Sequence, residues 1–545
     1  MGDRMKLALG LLTAAALLLP AHAVASSPGA GESSRLVPAL PLGTGTVDQI
    51  ESLMATPPFD QGVWGLEVRD MATGKKLLGI NTHRQFQAAS TTKNFTTAAA
   101  LDALGKNRRF RTPVTHTGRI SPSGVARGDL ILEASGDLTL GGREKPDGSV
   151  DFEGFDHTDA NEVPGFATLT PQHPLSGLND LARQVKRSGI DRVRGDVVID
   201  DRLWKQQLVN HEVISPIIIN DNVIDVTMTP TTPGEPVEVV TRPATAAYRI
   251  DVRARTVAAA GQLDIEVGQP HAGRVIVRGE IPAGVDPVVQ VVRIPRPAFF
   301  ARSLFVDALE KAGVRVDARR VAPNRIGHLP SRAKLMARPR DALRVSPPVS
   351  EFVKLISKVS HNPAANTVPF LIGVATGRPT LAGGMGEIRA YARRIGIRSD
   401  QLTLIDGQGS PGNRFSPAAM AKLLDYVHGQ PYGRAFLRAL PIKGVDGLPE
   451  DPELDPATGH VFQKNGVNGA LDADGRIEVQ AMALAGYARA GRRLLSFDLV
   501  ANHIPVLDSA GNPSTAPGDL VAAFTRFQYH EAITSLLYTS QLGPG

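Results

Sequence analysis

The sequence contains no cysteine, and only 5% of its residues are aromatic. The absence of cysteine excludes disulfide bonds, thiol catalysis and cysteine-ligated zinc. The net charge is +6, but the arginines and lysines are scattered along the chain and are not grouped with aromatic residues. This pattern is not typical of a nucleic-acid-binding surface, so we expect no nucleic-acid partner.

Long apolar runs are also missing, except near the N-terminus. The run at 7–19 follows Arg4 and Lys6 and precedes small residues. It is too short to span a bilayer, and its order of positive, apolar and small residues is typical of a signal peptide. We therefore expect residues 1–25 to be removed on export and residues 26–45 to form a flexible leader. The mature protein is expected in the periplasm or outside the cell at the envelope, without a transmembrane anchor.

The length of 545 residues is too great for one ordinary domain. Short β-rich runs separated by Gly, Pro and Asp turns predict an inserted, mainly β region at 111–329, made of one or two subdomains. Helical periodicity and late strands occur on both sides of that region. These patterns predict an α/β domain that is discontinuous in sequence, formed by 46–110 and 330–545.

A serine and a lysine lie three residues apart at the start of an alanine-rich segment. The hairpin predicted from Val63–Asp70 and Lys76–Ile80 leads to Ser90, and a helix is predicted from there to Leu104. Residues i and i+3 share a helix face, so the Lys93 amine can reach the Ser90 hydroxyl and act as its base. Backbone N–H groups at the helix start also favour an oxyanion. The alternative is that Ser90 is only a helix N-cap.

Two further short motifs follow in order along the chain. Ser360 and Asn362 come directly after a helix predicted at 349–359, and Lys464-Asn465-Gly466 lies in a late strand predicted from Val461. The order Ser-x-x-Lys, Ser-x-Asn, Lys-x-Gly is that of penicillin-binding proteins and serine β-lactamases. Ser360 and Asn362 could instead cap a helix C-terminus, and Lys464 could be a solvated strand lysine.

The same Ser-x-x-Lys spacing also occurs at Ser331 and Lys334. This second pair lies between Pro330 and further basic residues, and no helical pattern follows it. We therefore expect no helix at this position and assign it no catalytic role.

The surrounding sequence resembles the D-alanyl-D-alanine carboxypeptidase/endopeptidase family, the class C low-molecular-mass penicillin-binding proteins. The resemblance covers about residues 47–537. It rests on the segments Trp64 to Leu104, Asp406-Gly407 with Ser416-Pro417, Leu440 to Gly447, and the Gly-Asp motifs beginning at Gly128, Gly136 and Gly195. It implies a penicillin-recognising, serine β-lactamase-like α/β domain that is interrupted by a large, mainly β insertion.

The resemblance also implies roles for the motif residues. Ser90 would attack the carbonyl of the D-Ala-D-Ala bond, with Lys93 as its general base. Ser360 would relay a proton to the leaving D-alanine, and Asn362 would hold the amide on the acyl side. Lys464 would supply positive charge for the terminal carboxylate of the substrate.

The substrate-binding residues implied in the same way depart from the family pattern. The family usually has Lys-Thr-Gly followed by Thr or Ser, whereas this chain has Asn465 before Gly466 and Val467 after it. The backbone N–H groups of Ser90 and Val467 would form the oxyanion hole. Asp137 matches a position that contacts the cationic end of the stem peptide in some members.

The implied protein is an exported serine D-Ala-D-Ala carboxypeptidase or endopeptidase that acts on peptidoglycan stem peptides and is acylated by β-lactams. The 13 histidines form no His-Glu-x-x-His motif, and we expect no metal and no cofactor. Two alternatives remain open. One is a relative with an altered carboxylate pocket that acts on another amide or ester, and the other is a non-catalytic binding protein of the envelope.

Overall fold

The structure is a computed structural model that describes residues 36–162, 164–268, 271, 273–447, 455–472, 474–508, 510–515 and 528–542. The predicted signal peptide, and the leader as far as residue 35, lie outside these residues. Contacts divide the chain into two compact units. The first unit is Met1–Lys106, Val353–His361 and Leu381–Gly545, and the second is Asn107–Phe352 and Asn362–Thr380. The domain boundaries at 110 and 330 stay a prediction.

The α-helices of the described residues are, in chain order, α1 (Thr44–Met54), α2 (Lys93–Leu104), α3 (Ser176–Arg187), α4 (Pro297–Lys311), α5 (Arg332–Met336), α6 (Val349–Lys358), α7 (Asn362–Ala375), α8 (Leu381–Arg394), α9 (Pro417–His428), α10 (Gly433–Ala439) and α11 (Gln528–Thr539).

The strands of the described residues are β1 (Val63–Asp70), β2 (Lys76–Ile80), β3 (Phe86–Gln87), β4 (Arg111–His116), β5 (Val125–Ala126), β6 (Leu130–Glu133), β7 (Arg192–Val193), β8 (Val197–Asp200), β9 (Gln207–Val209), β10 (Glu212–Ile214), β11 (Val223–Thr229), β12 (Glu238–Arg242), β13 (Arg249–Val257), β14 (Asp264–Val267), β15 (Arg274–Pro282), β16 (Val288–Arg293), β17 (Arg315–Val316), β18 (Ala342–Val345), β19 (Leu402–Thr403), β20 (Arg414–Phe415), β21 (Val461–Leu471), β22 (Ile477–Ala490), β23 (Arg493–Asn502) and β24 (Ile504–Pro505).

The first unit is organised around an antiparallel sheet in the order β2-β1-β23-β22-β21, and β24 adds to β22. The predicted hairpin of β1 and β2 is confirmed at its predicted bounds. An early and a late segment of the chain meet in this sheet. Strand β1 pairs along its length with β23, from Val63 opposite Asn502 to Asp70 opposite Leu495. Strand β21 is therefore an edge strand of the sheet, and it continues beyond the predicted Lys-Asn-Gly segment to Leu471.

The helix predicted at Ser90 begins differently from the expectation. Residues Ala89–Thr92 form a 3₁₀ turn, and the α-helix α2 starts at Lys93. Alanine and threonine residues lie on several faces of α2, and the helix is buried over nearly its whole length. A helix that is buried all round lies within a core rather than on a surface. The nucleophile candidate is thus at the buried N-terminal end of a central helix.

Helix ends elsewhere follow local sequence signals, with one exception. Ser416 is the N-cap of α9, its hydroxyl accepts a hydrogen bond from the Ala419 N–H, and Pro417 is the first helical residue, which the Ser-Pro pair favours. The prediction of no helix after Ser331 is wrong. Ser331 caps the short helix α5, which has only five residues and therefore too little periodicity to be recognised in the sequence.

The second unit is mainly β, in agreement with the predicted fold class. Its sheets have the strand orders β18-β4-β6-β8, β12-β11-β16, β13-β15-β14 and β17-β7-β5, with a short hairpin of β9 and β10. Helices α3 and α4 pack with these sheets around a large apolar core that includes Leu178, Leu181, Phe300 and Leu304. Helix α7, which begins at Asn362, the last residue of the Ser-x-Asn motif, also belongs to this unit.

A buried ionic cluster in the second unit links three loops. Arg143 forms a two-point ion pair with Asp156. The two ring nitrogens of His157 contact Asp225 Oδ1 at 2.6 Å and Asp221 Oδ2 at 3.0 Å. Burial alone would lower the pKa of His157, but the charges of Asp225 and Asp156 and the hydrogen bonds to Asp221 and Asp225 raise it to about 10. The imidazole is therefore expected to be protonated at neutral pH.

We expect His157→Gln to destabilise the protein at pH 7 by about 3–5 kcal/mol, because buried carboxylates lose their cation. The folded-state pKa is raised above the value of about 6.5 in an unfolded chain, so this stabilisation is complete below pH 6.5 and is lost as the pH rises through about 10. Denaturant unfolding at pH 7 and above pH 10 measures the effect. A difference between wild type and variant that stayed constant over this range would contradict the protonated state of His157.

Candidate active site

Ser90 and Lys93 are in direct contact in the first unit. Lys93 Nζ lies 2.7 Å from Ser90 Oγ, and both side chains are buried, with Lys93 0% and Ser90 4% exposed. A lysine that loses its proton in this position would have a lone pair within reach of the serine hydroxyl. The arrangement is that of a serine nucleophile with an adjacent amine base.

Two non-glycine residues, one beside Ser90 and one in the Ser-x-Asn motif, adopt the left-handed conformation. Ala89, directly before the serine, has φ = +46°, and Ser360, two residues after α6, has φ = +57°. This region costs energy for residues with a Cβ atom, and such strain is concentrated at functional sites. Ser360 belongs to the first unit, like Ser90.

Two glycines from distant parts of the sequence lie against the backbone of the Ser90 turn. A Cβ atom on Gly466 would be 2.7 Å from the Ser90 nitrogen, and one on Gly409 would be 1.9 Å from the Ala89 oxygen. Gly409 also has φ = +104°, which an L-residue rarely adopts. Any side chain at either position would displace the turn that carries the serine.

Lys464 lies on the face of β21 that meets the Ser90 turn. Side chains two residues apart in a strand point to the same face, and Gly466 faces the Ser90 nitrogen. Lys464 is 0% exposed, and its Nζ donates hydrogen bonds to the Asn465 backbone oxygen and Oδ1, both at 2.8 Å. Asn465, where the family usually has threonine, thus contacts the ammonium group through its amide oxygen.

The outer edge of β21, as far as the structure describes the chain, carries the Val467 N–H. The segment before the strand covers the first part of this edge, because Lys443 N–H donates to the Val461 oxygen and Gln463 N–H donates to the Pro441 oxygen. Alternate residues direct their backbone groups to the same edge, so Asn465 and Val467 also face outward. The Ser90 N–H, in the first turn of a helix, has no intrahelical acceptor. An oxyanion hole formed by these two N–H groups stays a prediction.

A buried lysine, Lys358, fixes the end of α6 to the segment that precedes β21. Lys358 Nζ donates to both carboxylate oxygens of Asp446 at 2.6 Å and to the Leu440 oxygen at 2.6 Å. Burial lowers the pKa of the Lys358 amine, and the Asp446 charge opposes this shift. The Asp446 carboxylate also accepts from the Ile442 N–H at 2.9 Å. The end of α6 and the segment beside β21 are thereby joined.

The loop at 405–413 supplies a contact to the lysine that we did not predict. The Gln408 backbone oxygen accepts a hydrogen bond from Lys93 Nζ at 2.9 Å, and the Gly407 oxygen accepts one from Thr96 Oγ1 at 2.8 Å. The richness of the loop in Asp, Gly and Asn indicates a turn. Its contact with a residue 315 positions earlier has no signal in the sequence.

Two predicted site residues belong to the second unit. Asn362 is the first residue of α7. Asp137 is 3% exposed, and its Oδ1 accepts from the Thr139 N–H at 2.8 Å and from the Thr139 hydroxyl at 2.7 Å. Arg344 Nε donates to Asp137 Oδ2 at 3.2 Å. Both carboxylate oxygens therefore have partners within the chain, and a contact of Asp137 with substrate stays a prediction.

In the part of the chain that the structure describes, no group of three or more histidine and carboxylate side chains could hold a metal ion. None of the described helices combines the length and apolar character needed to cross a bilayer.

Solved structures with a similar fold are known. Penicillin binding protein 4 (dacB) from Haemophilus influenzae superposes with a TM-score of 0.65 at 21% identity, over 89% of this chain and 99% of that one. Its structure in complex with a β-lactam superposes with a TM-score of 0.63 at the same identity and coverage. The protein therefore has the penicillin-recognising α/β fold that we predicted, and with the buried serine–lysine pair it falls in the class of serine hydrolases built on that fold.

The family can be stated more narrowly. The model of the D-Ala-D-Ala carboxypeptidase 3 (S13) family matches residues 46–521, and the chain belongs to this family. A D-alanyl-D-alanine carboxypeptidase from Actinomadura sp. (strain R39) is 27% identical over 511 residues, which cover 89% of this chain and 85% of that protein. The predicted family and the prediction of a serine-type D-Ala-D-Ala carboxypeptidase are confirmed.

Proposed function

We propose that this protein is an exported enzyme that hydrolyses the D-Ala-D-Ala bond of peptidoglycan stem peptides through an acyl-enzyme on Ser90. Penicillin would acylate the same residue. The observation that carries the proposal is the 2.7 Å contact between Lys93 Nζ and Ser90 Oγ, beside a strand whose Gly466 lies against the Ser90 nitrogen. It combines a nucleophile, a base and two outward N–H groups in one unit.

In acylation, the neutral Lys93 amine takes the hydroxyl proton while Ser90 Oγ attacks the carbonyl carbon of the penultimate D-alanine. The N–H groups of Ser90 and Val467 donate to the oxyanion that forms. The carbon–nitrogen bond then breaks, and the leaving amine of D-alanine receives a proton through the Ser360 hydroxyl. Water attacks the resulting ester, its proton passes to the amine base, and the Ser90 hydroxyl is restored.

Substrate binding would use the other residues that the sequence motifs assign. The Lys464 ammonium would attract the terminal carboxylate, and Asn362 would hold the amide on the acyl side. Asn465 would contribute its amide N–H₂ group, because its Oδ1 already accepts from Lys464. Gly466 lets β21 approach the turn closely. The Asp137 carboxylate already accepts a hydrogen bond from Arg344. It would therefore contact the cationic end of the stem peptide while keeping Arg344 as a second partner.

Export is supported by the N-terminal pattern at 7–25 and by the chemistry of the substrate. Peptidoglycan lies outside the cytoplasmic membrane, so an enzyme that trims its stem peptides has to reach the periplasm or the wall. The H. influenzae neighbour has been solved with a β-lactam. This supports β-lactams as inhibitors of the present protein.

The test is to incubate the protein with benzylpenicillin, digest it and locate the adduct by mass spectrometry. We expect one penicilloyl group, on the peptide that contains Ser90. A parallel assay measures D-alanine released from diacetyl-Lys-D-Ala-D-Ala. An unlabelled protein, under conditions that label a control penicillin-binding protein, would overturn the proposal.

One observation favours a second candidate with the same chemistry. The Lys464 ammonium is already bonded to Asn465, and the residue after Gly466 is valine, which has no hydroxyl to offer a carboxylate. The enzyme could then prefer an amide or ester without a free terminal carboxylate. Penicillin labelling of Ser90 without D-alanine release would favour this candidate.

A further inference from the structure

The loop 405–413 is built around two buried polar side chains. Asp406 Oδ1 accepts hydrogen bonds from the Gly409 N–H at 2.8 Å, from the Gln408 N–H at 3.1 Å and from Asn413 Nδ2 at 3.0 Å. Asp406 Oδ2 accepts from the Ser410 hydroxyl. Asn413 Oδ1 accepts in turn from the Ile405 N–H at 2.9 Å. Asp406 is 2% exposed and Asn413 0%, so water does not compete for these bonds.

This loop contacts the catalytic segments at several points. Its Gln408 oxygen binds Lys93 Nζ, and its Gly407 oxygen binds the Thr96 hydroxyl one turn further along α2. Gly409 lies against the Ala89 backbone, and its oxygen accepts from Asn468 Nδ2 at 3.4 Å, on β21. The loop therefore touches both the serine–lysine turn and the strand that carries Lys464.

The contact with Lys93 has a chemical consequence. A neutral amine has two N–H groups and one lone pair, and a backbone carbonyl oxygen can only accept a hydrogen bond. The Gln408 oxygen must therefore take an N–H of Lys93. That constraint restricts the rotation of the amine and keeps its lone pair from pointing at the loop.

We propose that Asp406 is a positioning residue for the general base, because it fixes the backbone of Gln408 whose carbonyl orients the Lys93 amine. The inference rests on the proposed function, since it assumes that Lys93 deprotonates Ser90. The side chain of residue 408 is not required. The described hydrogen bonds of Asp406 lie within the loop, so Asp406 acts through the loop.

The test compares Asp406→Ala and Asp406→Asn. We expect Asp406→Ala to lower the second-order rate of acylation by a fluorescent penicillin about 10- to 100-fold, since small misplacements of a reacting group cost this much. The amine also loses an acceptor that favours its protonated form, so the acidic limb of the pH–rate profile should move to lower pH. Asp406→Asn keeps an oxygen for the loop N–H groups and should restore most of the rate.

Asp70→Ala is the matched control. Asp70 is also buried, and it organises the turn between β1 and β2 by accepting from the Ala72 N–H at 2.9 Å and from the Thr73 hydroxyl at 2.6 Å. Its loss should lower stability but leave the acylation rate of the folded protein and its pH profile unchanged. If Asp406→Ala does not fold, Thr96→Val removes one anchor of the loop and should produce a smaller effect in the same direction.

The outcomes separate the two proposals. Unlabelled wild-type protein would overturn the proposed function. Labelled wild type, together with an Asp406→Ala protein whose folded fraction reacts at the wild-type rate with the wild-type pH profile, would overturn only the role of Asp406. If Asp406→Ala cannot be purified, a folded Thr96→Val protein that reacts at the wild-type rate with the wild-type pH profile would overturn the role of Asp406.

Discussion

Ser90→Ala is expected to abolish both the penicillin adduct and the release of D-alanine. A methyl group cannot form an ester, so the covalent route is closed. Loss of a nucleophile that works together with a base lowers turnover on the order of 10⁴- to 10⁶-fold. The measurements are intact-protein mass spectrometry after exposure to benzylpenicillin and D-alanine release from diacetyl-Lys-D-Ala-D-Ala.

A control for this result is available in the same turn. The Thr91 hydroxyl is buried next to Ser90 and donates to the Ala88 oxygen at 2.6 Å. Thr91→Val removes a neighbouring buried hydroxyl but leaves the nucleophile, so it should still be labelled. Both variants should unfold cooperatively on heating. Release of D-alanine by folded Ser90→Ala at a rate close to that of wild type would show that another residue is the nucleophile.

Lys93→Met is expected to lower the acylation rate about 10²- to 10⁴-fold, the contribution typical of a general base. Methionine fills a similar volume, and the position is fully buried. Removal of the amine gives up its hydrogen bonds to Ser90 and to the Gln408 oxygen but also relieves the cost of burying an ionisable group. We therefore expect a small change in melting temperature together with a large loss of rate, measured by fluorescent-penicillin labelling and calorimetry.

Lys443→Met, in the same unit, is expected to lower stability and to leave the acylation rate unchanged. Lys443 is also buried, but its Nζ forms ion pairs with Glu531 at 2.6 Å and with Asp455 at 2.9 Å. Its removal leaves two carboxylates without their cation and should cost about 3–5 kcal/mol of stability. The folded fraction should still be labelled. Equal loss of labelling in folded Lys93→Met and folded Lys443→Met would argue against a specific role of Lys93.

The features that the sequence predicts correctly are those with local signals. The β1–β2 hairpin follows from alternation and a short turn, and the cap at Ser416 follows from the Ser-Pro pair. The contact of Ser90 with Lys93 follows from their spacing of three residues at a helix start. Helix α7 could also have been predicted, since Pro363 lies just inside its start, where proline is favoured.

The remaining parts of the site depend on contacts that have no local signature. The acceptor for Lys93 is a backbone oxygen, which any residue at position 408 would provide. The neighbouring residues do not distinguish Gly409 and Gly466 from the other glycines of the sequence. Only the folded chain shows that both lie against the Ser90 turn. The ion pair of Lys358 with Asp446 joins residues that are 88 positions apart. Such long-range pairs arise from the topology of the sheet rather than from any local pattern.

The two glycines beside Ser90 also have a consequence for biogenesis. The nucleophile belongs to the first hundred residues, whereas Gly409 and Gly466 come from the last third of the chain, and β1 gains its second partner only when β23 has been made. Contacts of such long sequence separation form late in folding. If Ser90 is the nucleophile of an exported enzyme, as proposed, it becomes reactive only once the whole polypeptide has folded, and any hydrolysis of peptidoglycan is delayed until then.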